Sequence, residues 1–149
     1  MVTRPSRIQL TAKDVCEALN VPRHTLRRWV ESLSPFLEAD IRARSARRYD
    51  AGDLLFFAVV QQLETQYGLR LGALQRISDS MLDFLKGPRT MVRFVFIYLQ
   101  SGQLEPLGNG IPLQAGFVVD LDPAYRLVAH YLDWPDDSGQ LPLGLVGLR

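Results

Sequence analysis

Pro22-Arg23-His24-Thr25-Leu26-Arg27-Arg28-Trp29 decides how this chain is read. Proline lacks an amide proton and costs nothing at the first turn of a helix, so a helix of about residues 22–33 is expected here. Leu26, Trp29, Val30 and Leu33 fall on one face of it, and Arg23, His24, Arg27, Arg28 and Glu31 on the other. Pro35 closes it. Just upstream, Val15, Ala18 and Leu19 give a shorter helix over about 12–19. Thr11 and Asp14 stand three apart at its start, the spacing of a reciprocal capping box with Asp in place of Glu. Between the two helices Asn20-Val21 makes the corner, because Asn tolerates the left-handed backbone that a tight helix stop needs.

A second basic element, Arg42-Ala43-Arg44-Ser45-Ala46-Arg47-Arg48-Tyr49-Asp50, follows through a loop with weak strand potential at 37–42. A cationic helix followed by a cationic loop is how a winged helix-turn-helix enters a major groove and grips the flanking phosphates. Charge is partitioned to match. Residues 1–50 hold ten Lys/Arg against six Asp/Glu, a balance of +4, whereas the remainder holds seven against ten. Nine of those first ten cations are arginine, the side chain suited to bidentate contact with phosphate or guanine. A polyanionic partner on the N-terminal half is the expectation.

Asp50-Ala51-Gly52-Asp53 starts a third helix with a broad apolar face of Leu54, Leu55, Phe57, Ala58 and Leu63, ending near 66 at Tyr67-Gly68. Leu74, Ile77, Met81, Leu82 and Leu85 carry a fourth to about 86, and Gly87-Pro88 is the best domain boundary in the chain. Beyond it the composition turns β-branched and aromatic. Residues 91–99 and 117–121 read as strands, Gly102, Pro106, Gly108 and Pro112 punctuate a loop, and Asp122-Pro123 caps a last helix over 124–132. The expected class is α+β, with an N-terminal winged helix-turn-helix at 1–86 and a small strand and helix module at 87–149. Residues 91–99 are apolar on both faces, more than two strands and a helix can cover, so residues 90–132 are the expected dimer contact.

Residues 9–78 resemble the DNA-binding domain of the MerR family of transcription regulators. The resemblance rests on Thr25-Leu26-Arg27-Arg28-Trp29, then Arg48-Tyr49-Asp50 with Asp53-Leu54, then Tyr67-Gly68-Leu69-Arg70-Leu71, in register and in order. It implies sequence-specific binding of double-stranded DNA as a homodimer, and no cofactor. Arg23 and His24, at the start of the recognition helix, are the candidates for reading base edges, and Arg27 and Arg28 for phosphate. Thr25 donates to phosphate or supports the turn. The wing positions are Arg42, Arg44, Arg47, Arg48 and Tyr49. Two departures stand out: the family usually carries a Tyr-like ring where Arg28 sits, and no long heptad helix follows the fourth helix.

Other classes find little support. Cys16, the one cysteine, gives neither a disulfide framework nor a cysteine metal cluster, and on an apolar stripe it reads as a buried structural thiol. Asp120 and Asp122 flank a strand end followed by Pro123, where Asp122 reads as a helix cap rather than half of a catalytic pair. His130 reads as structural. No phosphate loop, Ser/His/Asp set or zinc spacing supports an enzyme. With no apolar run of membrane-spanning length and no secretory signal, the expected location is the cytoplasm, at the nucleoid in a bacterium. Two other roles remain open: a phage-type architectural or excision factor that bends DNA, and a protein-interaction adaptor whose winged helix does not bind DNA. The residues do not identify a small-molecule effector.

Overall fold

A computed structural model describes residues 9–36, 47–87, 92–108, 110 and 112–132. The wing residues Arg42 and Arg44 and the expected strand at 37–42 lie outside the described residues. The chain begins with α1 (Ala12–Leu19) and α2 (Arg23–Ser32). Thr11 Oγ1 accepts from the Asp14 amide at 3.1 Å while Asp14 Oδ2 accepts from the Thr11 amide at 2.9 Å, so the capping box forms as its spacing requires. Asn20 adopts φ 57°, ψ 50°, and the Val21 amide returns to the Cys16 carbonyl at 3.0 Å. The left-handed residue turns the chain from α1 into α2 within three positions. Pro22 immediately precedes the first turn of α2, in an extended conformation.

Helix α3 (Ala51–Thr65) is the axis of the molecule. Asp50 and Asp53 form a second reciprocal capping box at its start, with bonds of 2.8 and 2.9 Å. Every residue from Asp53 to Val60 is buried, so the apolar surface wraps the helix rather than facing one way. Two layers account for this. The α1–α2 pair and α4 (Leu71–Lys86) cover part of it, and α5 (Asp122–Tyr131) lies along the rest. Tyr125 and Val128 of α5 share one continuous core with Leu26 and Trp29 of α2. Tyr131 of α5 also donates its hydroxyl to Glu17 of α1.

The sheet is antiparallel with order β2-β1-β3, built from β1 (Phe94–Tyr98), β2 (Leu104–Pro106) and β3 (Gly116–Asp120). The expected loop over 102–112 therefore contains a third strand. Gly102, at φ 76°, returns its amide to the Tyr98 carbonyl at 2.8 Å and reverses the chain into β2. A three-residue strand ending in proline carries no periodic signal. Pro106 is tolerated because Phe96 pairs with Glu105 and the Leu107 amide bonds Phe94, which leaves position 106 facing away from the ladder.

Apolar cover on β1 comes from both sides. Val95 and Ile97 are fully buried against the helices. Phe96, on the other face, is 7% exposed because its ring closes over Gly116, where any Cβ would overlap it, and packs edge-on against Tyr98 at 4.9 Å. Phe94 and Val118 stay 40% exposed on that face. A further correction concerns the last helix. Asp122 is its first residue rather than its cap, and the Asp120 carboxylate accepts the Asp122 amide at 3.1 Å. Asp122 instead accepts from Arg126 one turn on, at 2.8 Å.

Two stability tests follow from these joints. Asn20→Val should destabilise the protein by roughly 1–2 kcal/mol, the cost of a β-branched residue in the left-handed region, while Asn20→Gly should be near neutral; urea unfolding of both variants measures the difference. The Arg93 guanidinium, bonded to Asp120 at 2.8 and 3.0 Å, holds the Asp120 carboxyl below its ordinary pKa. A carboxyl depressed on folding contributes stability above its unfolded pKa and loses it as pH falls through the folded value. Asp120→Asn should therefore flatten the acid limb of the stability profile while leaving the alkaline limb unchanged, as read by thermal melts across acidic pH.

Candidate nucleic-acid interface

The exposed face of α2 is created by what its other face must do. Leu26, Trp29 and Val30 are buried, with Trp29 at 1% exposure, so Arg23, His24, Arg27 and Arg28 project outward. Thr25 is half-buried, and its amide donates to the Pro22 carbonyl at 3.0 Å, closing the first turn. The bearing of α2 is fixed from behind by two glutamines. Gln75 of α4 donates to the Ser32 carbonyl at the end of α2 (3.0 Å), and Gln61 of α3 donates to the Leu19 carbonyl at the end of α1 (3.1 Å). Each satisfies a helix-end carbonyl that has no partner within its own helix.

Tyr49 and Arg47 anchor the C-terminal end of the wing segment. Tyr49 and Leu10 exchange main-chain bonds of 2.7 and 2.8 Å, so the return of the wing pairs with the residue entering α1. The Tyr49 ring is 4% exposed and meets Phe57 edge-on at 5.7 Å. Phe36, at the start of the wing segment, packs 4.9 Å from the same Phe57, and Trp29 stacks on it at 5.8 Å with a 13° tilt. One ring on α3 thus holds the recognition-helix candidate and both ends of the basic loop. Aromatic pairs of this kind add about 0.5–1.5 kcal/mol each beyond the area they bury.

Arg47 is half-buried, with its guanidinium carbon 5.2 Å from the Phe36 ring and 5.3 Å from the Tyr49 ring. Its Nε is buried without a hydrogen-bond partner among the described residues, and the two rings hold the guanidinium plane in place. Arg48 is exposed. Arg23, Arg27 and Arg48 make no ion pair among the described residues.

Arg28 differs. Its guanidinium forks the Glu64 carboxylate of α3, Nη1 to Oε2 at 2.9 Å and Nη2 to Oε1 at 3.2 Å, and this bond raises the arginine's pKa above its ordinary value. Glu64 also accepts the Trp29 indole N–H at 3.3 Å, a residue that periodicity alone does not bring into the site. Because Arg28 and Glu64 remain partly solvated, the ion pair contributes little stability, about 0.2–1 kcal/mol. At the opposite end of α3, Lys86 reaches Asp53 at 2.9 Å and Asp50 at 3.3 Å. Burial lifts the Asp53 carboxyl, while the Asp53 amide and the Lys86 ammonium outweigh burial and hold Asp50 low. Cys16 is buried and burial raises its thiol pKa, as a structural thiol requires.

Among the described residues no cluster of His, Cys, Asp and Glu is arranged to hold a metal ion, and no helix is long and apolar enough to cross a membrane. Neither a curated protein nor a solved structure matches the chain. The family model described as MerR HTH family regulatory protein matches residues 10–81, from the strand-like entry to α1 through most of α4. That span takes in the left-handed corner, the arginine-bearing helix, the residues that bracket the basic segment and the helix that carries Phe57. Residues 10–81 form a helix-turn-helix domain of the MerR type.

Proposed function

We propose that this protein is a sequence-specific double-stranded DNA-binding transcription regulator, with α2 in the major groove and the basic loop on adjacent phosphates. The observation that carries the reading is the pair of exposed arginines Arg23 and Arg27 on α2, without an ion pair among the described residues, on a helix whose Trp29 packs on the same Phe57 ring as Phe36 and Tyr49, the residues that bracket the basic segment. Arg23 and His24, in the first turn, are assigned to base edges, because the N-terminal residues of a recognition helix reach deepest into the groove. Arg27, further along, and Arg48 are assigned to phosphate, together with Arg42 and Arg44. Arg47 and Tyr49 serve chiefly by packing: the first stacks on two rings and the second is buried.

A homodimer is part of the proposal, since two-fold symmetry lets two such helices read successive half-sites. The C-terminal module is the proposed contact, with Phe94 and Val118 exposed on the outer face of its sheet. An intracellular setting follows from the DNA partner.

Selection of bound sequences from a random duplex pool tests the reading directly. A regulator should enrich one symmetric site. Tandem sites filled cooperatively would mark an architectural factor instead, and no salt-dependent binding to any duplex would overturn the assignment in favour of an interaction adaptor. On the enriched site, Arg23→Ala should cost about 1–3 kcal/mol and relax preference at one position. Arg48→Ala should weaken binding evenly across sequences and lower the salt slope by about one unit. Titrations of both variants over a salt series separate the two roles.

A further inference from the structure

Arg28 occupies the outward face of α2, one turn beyond His24, yet its guanidinium is turned onto α3. The fork to Glu64 uses both terminal nitrogens, at 2.9 and 3.2 Å. An arginine that recognises an oxyanion presents that same planar edge, so a phosphate and the Glu64 carboxylate compete for one set of donors. Glu64 stands in the last turn of α3, next to the negative pole of the helix, where a carboxylate is intrinsically unfavourable. Its partners explain the placement: three hydrogen bonds arrive there, two from Arg28 and one from the buried Trp29. Arg23 and Arg27, on the neighbouring row, have no such restraint among the described residues.

We propose that Glu64 withdraws Arg28 from the duplex and makes it a positioning residue, a strut that sets the bearing of α2 against α3. The inference rests on the DNA-binding reading above and refines it: the protein's affinity is less sensitive to salt than its exposed arginines imply. Each phosphate neutralised contributes a slope of about 0.9 in log K against log salt, so one withheld arginine is a measurable quantity.

The test is fluorescence anisotropy of the full-length protein on a random-sequence duplex over a salt series. Arg28→Ala should leave the wild-type slope unchanged. Glu64→Gln keeps an oxygen to accept the Trp29 indole proton but removes the charge that holds Arg28, and should steepen the slope by about one unit. Arg28→Lys, which retains charge and loses the fork, should steepen it similarly without touching Glu64. The double variant Arg28→Ala/Glu64→Gln should return to the wild-type slope. A drop of about one unit for Arg28→Ala alone, or no change for both Glu64→Gln and Arg28→Lys, overturns the proposal. A wild-type protein with no duplex affinity would defeat the DNA-binding reading instead. In that event melting temperatures of the wild type, Arg28→Ala, Glu64→Gln and their double variant judge the strut: non-additive shifts sustain it and additive shifts dismiss it.

Discussion

Phe57 is the constraint on which the rest of this molecule depends. Its ring touches Trp29 of α2, Phe36 where the basic loop departs, Tyr49 where it returns, and Phe56 beside it on α3. The contacts to Trp29, Phe36 and Tyr49 join segments that are distant in sequence. Aromatic rings suit such a junction because each has only two side-chain torsions to freeze, so a large contact area is ordered at small entropic cost. The polar groups around the junction are then placed rather than merely tolerated. The Trp29 indole reaches Glu64, Arg47 lies across two of the rings, and the main chain of Tyr49 pairs with Leu10.

Around that junction the helix ends are tied by side chains from their neighbours. Gln61 and Gln75 each take a terminal carbonyl of the α1–α2 pair onto α3 or α4. Gln62, the residue after Gln61, points the other way and donates to the Asp120 carbonyl at the end of β3 at 2.9 Å. Consecutive residues of one helix thus hold the α1–α2 pair and the sheet. Gln62 is the buried one of the three, and as a neutral amide it avoids the desolvation cost that an ionised group would carry at the same depth.

Much of the first half was legible from local chemistry. The Thr11/Asp14 spacing, the left-handed Asn20 and the 3.6-residue stripe of α2 are each set within a single turn, so residues a few positions apart determine them. The outward arginines of α2 followed from the same stripe. What was not legible depends on long-range contacts. Leu54, Leu55, Phe57, Ala58 and Leu63 read as a broad face, but every residue from Asp53 to Val60 is covered because α5 arrives from more than sixty residues later. The partner of Arg28 lies 36 residues away, and no periodicity links them. Tyr49 sits among arginines and so looked like a surface contact, yet its burial is decided by Phe57. In the second half, β2 is not legible because three residues ending in Pro106 are too few to alternate, and the carboxylate that takes the first amide of α5 belongs to Asp120, two positions before Asp122.

The sheathing of α3 on every side has an evolutionary consequence. A helix that is a wall for two compartments cannot drift to suit one without disturbing the other, because most of its substitutions are felt on both sides at once. The segment after Gly87 is therefore poorly suited to exchange as a modular cassette: a foreign replacement would need to reproduce the imprint that Val119, Leu121, Tyr125 and Val128 leave in the shared interior. Lineages descended from such a chain should diversify at their rims and loops, with the central rod and its two linings changing together.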